Sequence, residues 1–241
     1  MVKNYDLTVL NGGLSQFGIS LENSQVEKFI RYYELLTKWN EVMNLTAIVD
    51  WEEVCVKHFI DSLSLCKAVD CTRNLSVMDV GTGAGFPGIP LKIAFPNLRM
   101  TLLDSLQKRV RFLNEVIDIL GLEGIKVIHG RAEDFAKPGL LREQFDLCVS
   151  RAVANLAVLS EYCMPYVKRD GFFISYKSEK AAEEIEAAGY AIQILGGKFD
   201  KEIAFTLPDS DIYRDLVMIK KVKDTPKKYP RKSGLPAKEP L

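Results

Sequence analysis

The sequence predicts an α/β fold: a seven-stranded, mostly parallel sheet flanked by helices, with an antiparallel late strand and an all-helical segment in front. Three observations carry this reading. From residue 75 onward, short apolar runs alternate with stretches of helical periodicity, the pattern of βαβ units. The first of those runs, Leu75 to Val80, ends in a glycine-rich turn that opens a helix. Residues 1–70 show helical periodicity and no strand pattern.

In chain order, a mixed stretch with Gly12, Gly13 and Gly18 comes first. Val26, Phe29, Ile30, Tyr33, Leu36 and Trp39 then recur at three- and four-residue steps, one face of a helix. Ser24, with Glu27 three residues on, reads as a capping box. Asn40 and Asn44 flank Met43 where this helix should end. A second helical stretch passes through Val54, His58, Phe59, Ser62, Leu63 and Leu65. Residues 1–70 are thus expected to form a helical cap, which either shapes the entrance of a cleft or covers a sheet edge.

The core is expected over residues 71–222. After the glycine turn and its helix come a strand at 98–104, a helix at 107–120 stopped by Gly121, and strands at 125–130 and 145–150. A helix at 155–167, a strand at 171–176 and a short helix at 179–188 follow. Tyr190 to Leu195 and Ile212 to Val222 read as two late strands. Residues 223–241, with Pro226, Pro230, Pro236 and Pro240, read as an irregular basic tail.

At 241 residues the chain has room for one large domain, and 47% hydrophobic residues suffice for a core. A formal net charge of zero argues against uniform electrostatic binding to nucleic acid. The average hides an asymmetry: the last 22 residues hold eight Lys and Arg against Asp224 and Glu239, a net +6, which leaves −6 on residues 1–219. Such a tail suits a polyanionic partner, or is simply a solvated end. The five cysteines are odd in number and form no C-x-x-C pair, and His58 and His129 lack metal-ligand spacing. No disulfide framework and no metal site are expected, in a reducing, cytoplasmic setting. No signal-peptide pattern and no membrane-spanning apolar run is seen.

Two cofactor classes fit the glycine turn. Gly83-x-Gly85-x-x-Gly88, with Asp104 about 20 residues on, fits the dinucleotide fingerprint. Gly81-x-Gly83-x-Gly85, with Asp79 two residues upstream, fits the first motif of S-adenosylmethionine (SAM) methyltransferases. Charge favours SAM, because its sulfonium and amino groups are cationic and a carboxylate beside the turn repels a pyrophosphate. A bare structural turn remains the third reading.

Asp104 ends the second strand, where a carboxylate can accept from both ribose hydroxyls of an adenosine; alternatively it caps the next helix. Gly130 to Phe135 follows the third strand, so that Ala132 and Glu133 can meet the adenine edge and Phe86 or Phe135 its face. Ser150-Arg151-Ala152-Val153 follows the fourth strand, on the acceptor side. Arg151 there either positions substrate or pairs with Asp79 or Asp146. An Asn/Asp-Pro-Pro-aromatic loop for amine acceptors is lacking, and Cys148 sits mid-strand rather than after a proline. The acceptor expected is one that needs no proton removal and no covalent activation, as guanine N7 does not. Positioning then supplies most of the catalysis.

Several segments carry a resemblance. Trp39 to Thr46, His58 to Leu63, Gly81 to Pro90, Asp104-Ser105 with Lys108-Arg109, Arg131 to Glu133, Ser150 to Ala152, and Tyr229 to Lys232 with Gly234 and Pro236 resemble the RsmG (GidB) family over nearly the whole chain. The resemblance implies a bacterial class I SAM-dependent methyltransferase with a Rossmann-like core, making 7-methylguanosine in the 530 loop of 16S rRNA. It implies a cofactor site lined by Gly81, Phe86, Asp104, Ser105, Leu106, Ala132, Glu133 and Arg151. The turn itself adds Asp79, Gly83 and Gly85. The partner implied is 16S rRNA, in the small subunit or an assembly intermediate, with no membrane and no obligate protein partner. Lys108, Arg109, Arg111, Arg131 and the tail are expected to form a positive rim for RNA phosphates.

Overall fold

The structure is a computed structural model that describes residues 5–151, 154–179 and 181–241. Its strands are β1 (Ser76–Val80), β2 (Arg99–Asp104), β3 (Ile125–His129), β4 (Phe145–Arg151), β5 (Val167–Lys177), β6 (Gly197–Thr206) and β7 (Tyr213–Lys221). They form one seven-stranded sheet in the order β3-β2-β1-β4-β5-β7-β6. The first five run parallel, and β7 lies antiparallel to both β5 and β6. The expected fold class therefore holds. Strand order reverses between β1 and β4, and ligands of open α/β sheets bind above the strand ends at such a point.

The late strands need one correction. Tyr190 to Leu195 is not a strand: Gly189–Ile194 is a helix, and the sixth strand lies after it. Ala191, Ile192 and Leu195 fall on one helical face and are buried in the core that also holds Leu156 and Leu159. A six-residue apolar run fits either period, and packing decided. The true strand was hidden because it is an edge. Lys198 to Glu202 are exposed, and only Ile203 and Phe205 turn inward.

The first long helix, Asn23–Met43, starts earlier than Ser24 suggests. The Glu22 N–H donates to Gln25 Oε1 at 2.8 Å, and Gln25 Nε2 donates to the Ile93 carbonyl at 2.7 Å. A tertiary contact thus fixes the cap. The end is as expected, with Asn44 in the left-handed region at φ 48°. Residues 51–67 form one continuous helical run, with a π turn over Cys55–Ile60. Such turns recur at functional sites.

These N-terminal helices cover a sheet face rather than an edge. Leu10, Phe29, Leu36, Phe59 and Leu63 share one core with Val77, Val149, Ile174 and Leu216. On the other face Met78, Cys148, Phe173, Val217 and Ile219 pack against Leu156, Leu159 and Met164. The sheet is sandwiched, and its strand ends are left to form the site.

The tail has little regular structure beyond one turn, Leu235–Lys238, yet it is tied down. Tyr229 is buried. The Arg231 backbone N–H and guanidinium both donate to the buried Glu161, at 2.7 and 2.6 Å. The Gly234 N–H donates to Glu133 Oε1 at 2.8 Å. Arg231→Ala should therefore release the tail. Each charged hydrogen bond is worth about 1.5–3 kcal/mol, so Tm should fall by several degrees, and limited proteolysis should cut after residue 222 faster than in the parent.

Candidate active site

A cleft of about 510 Å³ opens above the ends of β1, β2 and β3, within the usual range of roughly 300–1,000 Å³ for small-molecule sites. Gly81 to Ala84 and Phe86 form its floor, Leu103 to Ser105 one wall, and Gly130 to Glu133 another. Arg151 and Ala154 stand at the far end, beside His58 of the N-terminal helical run and Thr46 of the loop before it. Ala237 of the tail closes the rim.

The floor is built by bending the chain back on itself. Gly83 sits at φ 62°, and a Cβ there would meet nothing nearer than the Gly81 carbonyl at 4.0 Å. It would occupy ligand space, so glycine keeps the cradle open. Gly85 is different, since its Cβ would lie 2.6 Å from Ile89 and 2.8 Å from the Tyr32 hydroxyl oxygen. It faces the core, and the Tyr32 hydroxyl donates to the Ala84 carbonyl beside it.

The N–H inventory of this turn separates the two cofactor classes. Gly81 and Thr82 donate to the Leu103 carbonyl, Gly83 to Asp104 Oδ2, and Gly85 and Phe86 to the Thr82 carbonyl. Gly88 donates to Asp79 Oδ2 at 2.9 Å and Ile89 to the Gly85 carbonyl at 2.7 Å. Pro87 and Pro90 have no N–H to give. Among the described residues only Ala84 keeps a free N–H between Gly81 and Leu91. A pyrophosphate needs several such donors at a helix start, and they are already used. What remains facing the cleft is a carboxylate, which suits hydroxyl and ammonium donors. The donor set fits SAM.

Asp104 is 3% exposed and stands at the mouth of that cradle. It accepts from Gly83 N–H at 3.0 Å and from Leu106 N–H at 2.8 Å, with Arg109 at 3.4 Å. Oδ1 thus anchors the backbone just ahead of the following helix, which has no side-chain cap, and the carboxylate lines the cleft where the ribose role would place it. Ser105, Ala132 and Glu133 also line the cleft. The Ala132 carbonyl is taken by the Tyr166 hydroxyl at 2.6 Å, whereas the Ala132 and Glu133 N–H groups have no partner among the described residues. Phe135 packs beneath Gly130 and lies off the cleft.

Three expected lining residues are placed elsewhere. Asp79 is fully buried beneath the turn, where Oδ2 accepts from Thr82 Oγ1 and Gly88 N–H and Oδ1 has no partner among the described residues. Burial pushes its carboxyl up to about 7. It braces the cradle from below rather than meeting ligand. Gly85 faces the core, as described. Leu106 contributes its N–H to Asp104 while its side chain is exposed.

Arg151 pairs with neither Asp79 nor Asp146; Asp146 is held by Ser76 and Lys168 instead. Its partner is Asp61, at 2.8 Å, on the N-terminal helical run. Nη1 also donates to the Lys57 carbonyl at 3.1 Å, and the guanidinium lies 5.1 Å from the centre of the Phe86 ring. The His58 ring stacks on Phe86 at 4.4 Å, and its Nε2 lies 2.9 Å from Thr46 Oγ1. Burial, with Arg151 beside it, pushes His58 down to about 4, so it is neutral near pH 7. Asp61 holds a second cation, Arg214, at 2.9 Å. Thr46, His58 and Asp61 lie in segments that carry the family resemblance but were given no place in the site, and Arg214 was not singled out at all. The contacts that bring Asp61 to Arg151 and Arg214 join residues 90 and 153 positions apart. Ala152 and Val153 lie outside the described residues.

This strand order, with a carboxylate rather than a row of free N–H donors at the glycine cradle, defines a class I SAM-dependent methyltransferase. A SAM-dependent methyltransferase from Aquifex aeolicus has the same fold, with TM-score 0.53 and 19% identity over 72% of this chain and 94% of that one. TYW2 of M. jannaschii, solved in complex with AdoMet, has TM-score 0.51 and 16% identity over 62% and 70%. The GidB family model, rRNA small subunit methyltransferase G, matches residues 25–210. The ribosomal RNA small subunit methyltransferase G of Lachnoclostridium phytofermentans is 56% identical over 95% of both chains, and that of Acetivibrio thermocellus 53% over 95% and 94%. The chain belongs to the GidB family.

Proposed function

We propose that this enzyme transfers the methyl group of SAM to N7 of a guanosine in the 530 loop of 16S rRNA. The observation that carries this reading is the state of the groups at the acceptor end of the cleft. Both Asp61 oxygens are engaged by arginines, and Asp79 lies beneath the floor. His58 is neutral and a weak base, and burial pushes the Cys148 thiol far above its ordinary value. No group among the described residues there is suited to take a proton or to attack a pyrimidine ring. Guanine N7 offers a lone pair and has no hydrogen to lose.

When bound, SAM supplies an electrophilic methyl group. Asp104 would hold the ribose hydroxyls, the Ala132 and Glu133 N–H groups the adenine edge, and the Gly81–Phe86 cradle the amino-acid end. Arg151, fixed by Asp61 and the Lys57 carbonyl, would orient the base. The exposed Lys108, Arg111, Arg131, Lys227, Lys228 and Lys232 supply a rim for RNA phosphates. The reaction belongs in the cytoplasm, on the small subunit or an assembly intermediate; the five free cysteines suit that compartment.

Undermethylated small subunits incubated with labelled SAM and digested to nucleosides test the reading. The expected product is 7-methylguanosine; a methylated amine, a 5-methylpyrimidine or no transfer overturns it. Asp104→Ala should weaken SAM binding by about 1–3 kcal/mol, the cost of unpairing buried polar groups. Calorimetric titration with SAM checks this, and unchanged affinity removes Asp104 from the site.

A further inference from the structure

Beyond Arg151 lies a second cleft, of about 740 Å³, that no part of the cofactor reading uses. It shares three residues with the first: His58, Arg151 and Ala154. The two are adjoining chambers with the Arg151 guanidinium between them. The second chamber opens above the ends of β4 and β5 and the start of β7, with Lys57 and Ile48 as its other wall.

Its charge is distinctive. Lys57, Arg151, Lys177 and Arg214 line it against Asp61 and Glu184. Both acids are spent on internal pairs, Asp61 with two arginines and Glu184 with Lys177 at 2.6 Å. Lys177 Nζ also donates to the Ala154 carbonyl at 2.9 Å, which holds Ala154 at the chamber wall. Lys57 and Arg214 differ from the other two cations. Lys57 is 35% exposed and, among the described residues, paired only with the surface residue Glu53, and Arg214 is 23% exposed. His58 adds no charge near neutral pH. The chamber lining is therefore net positive, and Lys57 and Arg214 are its two most exposed cations.

We infer that this second chamber receives the flipped-out target nucleotide of the RNA, with Lys57 and Arg214 on its flanking phosphates. The inference rests on the proposed rRNA reading. A base reaching the methyl donor must come in past Arg151, and single-stranded RNA recognition splays a base while cations track the backbone. Asp61 is then a positioning residue. It sets Arg151 toward the base and Arg214 toward the backbone, and it neutralises Arg151 so that a cationic methyl donor does not face an unpaired cation.

The test uses the full chain, undermethylated small subunits and the variants Lys57→Ala, Lys57→Arg and Arg214→Gln. The expected result for Lys57→Ala is unchanged SAM affinity and Tm, with KM for subunits raised about tenfold. The slope of log affinity against log salt should fall by about 0.7–0.9, the loss of one phosphate contact. Lys57→Arg should restore the slope. Arg214→Gln should lower the slope likewise, and because it also unpairs Asp61 its Tm is recorded beside it. An unchanged slope and KM in Lys57→Ala overturns the inference while leaving the enzyme's activity standing. Absence of methyl transfer by the parent overturns the rRNA reading itself.

Discussion

Arg151→Ala should lower kcat on small subunits by about 100-fold or more at saturating SAM, the loss that follows from about 1 Å of misplacement in a reacting pair. The expectation rests on how many directions hold this guanidinium. Asp61 takes Nη1 at 2.8 Å, the Lys57 carbonyl takes it at 3.1 Å, and the Phe86 face lies 5.1 Å below. Arg151→Lys keeps the charge but is shorter and has no plane to lie flat on the ring, so it should recover less than a tenth of the lost rate. Folding should suffer less than turnover. Removing one partner of a buried pair costs about 3–5 kcal/mol when nothing replaces it, but Arg214 still holds Asp61. Parallel melting curves and single-turnover rates decide. A collapsed Tm with normal specific activity of the folded fraction would make Arg151 purely structural.

The second large effect concerns Asp79 and pH. Its carboxyl is pushed up to about 7 by burial, from an ordinary value near 3.8. The folded state therefore holds a proton that the unfolded chain releases. That stabilising contribution is complete below about pH 4 and is lost as pH rises to about 7. At roughly 1.4 kcal/mol per pKa unit, the loss reaches about 4 kcal/mol by pH 8. Asp79→Asn keeps an oxygen for Thr82 and Gly88 and has no charge to bury. It should flatten this part of the stability curve and be more stable than the parent at pH 8, measured by urea unfolding across pH 4–8. Equal pH profiles for the two proteins would show that Asp79 stays ionised in the fold. SAM affinity of the same variant tells whether its charge also reaches the ligand.

Much of the fold was legible because each strand of the parallel core is a short apolar run with a turn after it. The five parallel strands, the helix at Gln107–Leu120 and its Gly121 stop all follow from local pattern. Tyr190 to Leu195 failed because six apolar residues have no period of their own, and Gly197–Thr206 because an exposed edge is mostly polar. Half of the candidate site was readable from the glycine turn and Asp104. The other half was not, since Asp61 is an ordinary helical acid until the fold brings Arg151 and Arg214 to it. One legible signal was passed over: Pro87 and Pro90 on either side of Gly88 already announce a helix start without donors.

That helix start has a meaning for life among competing metabolites. Every cell is crowded with phosphorylated compounds that seek out glycine loops. Here two prolines and a hidden acid have closed the berth to them from inside. Discrimination among cofactors thus begins beneath the floor of the cleft, before any side chain above it meets a ligand.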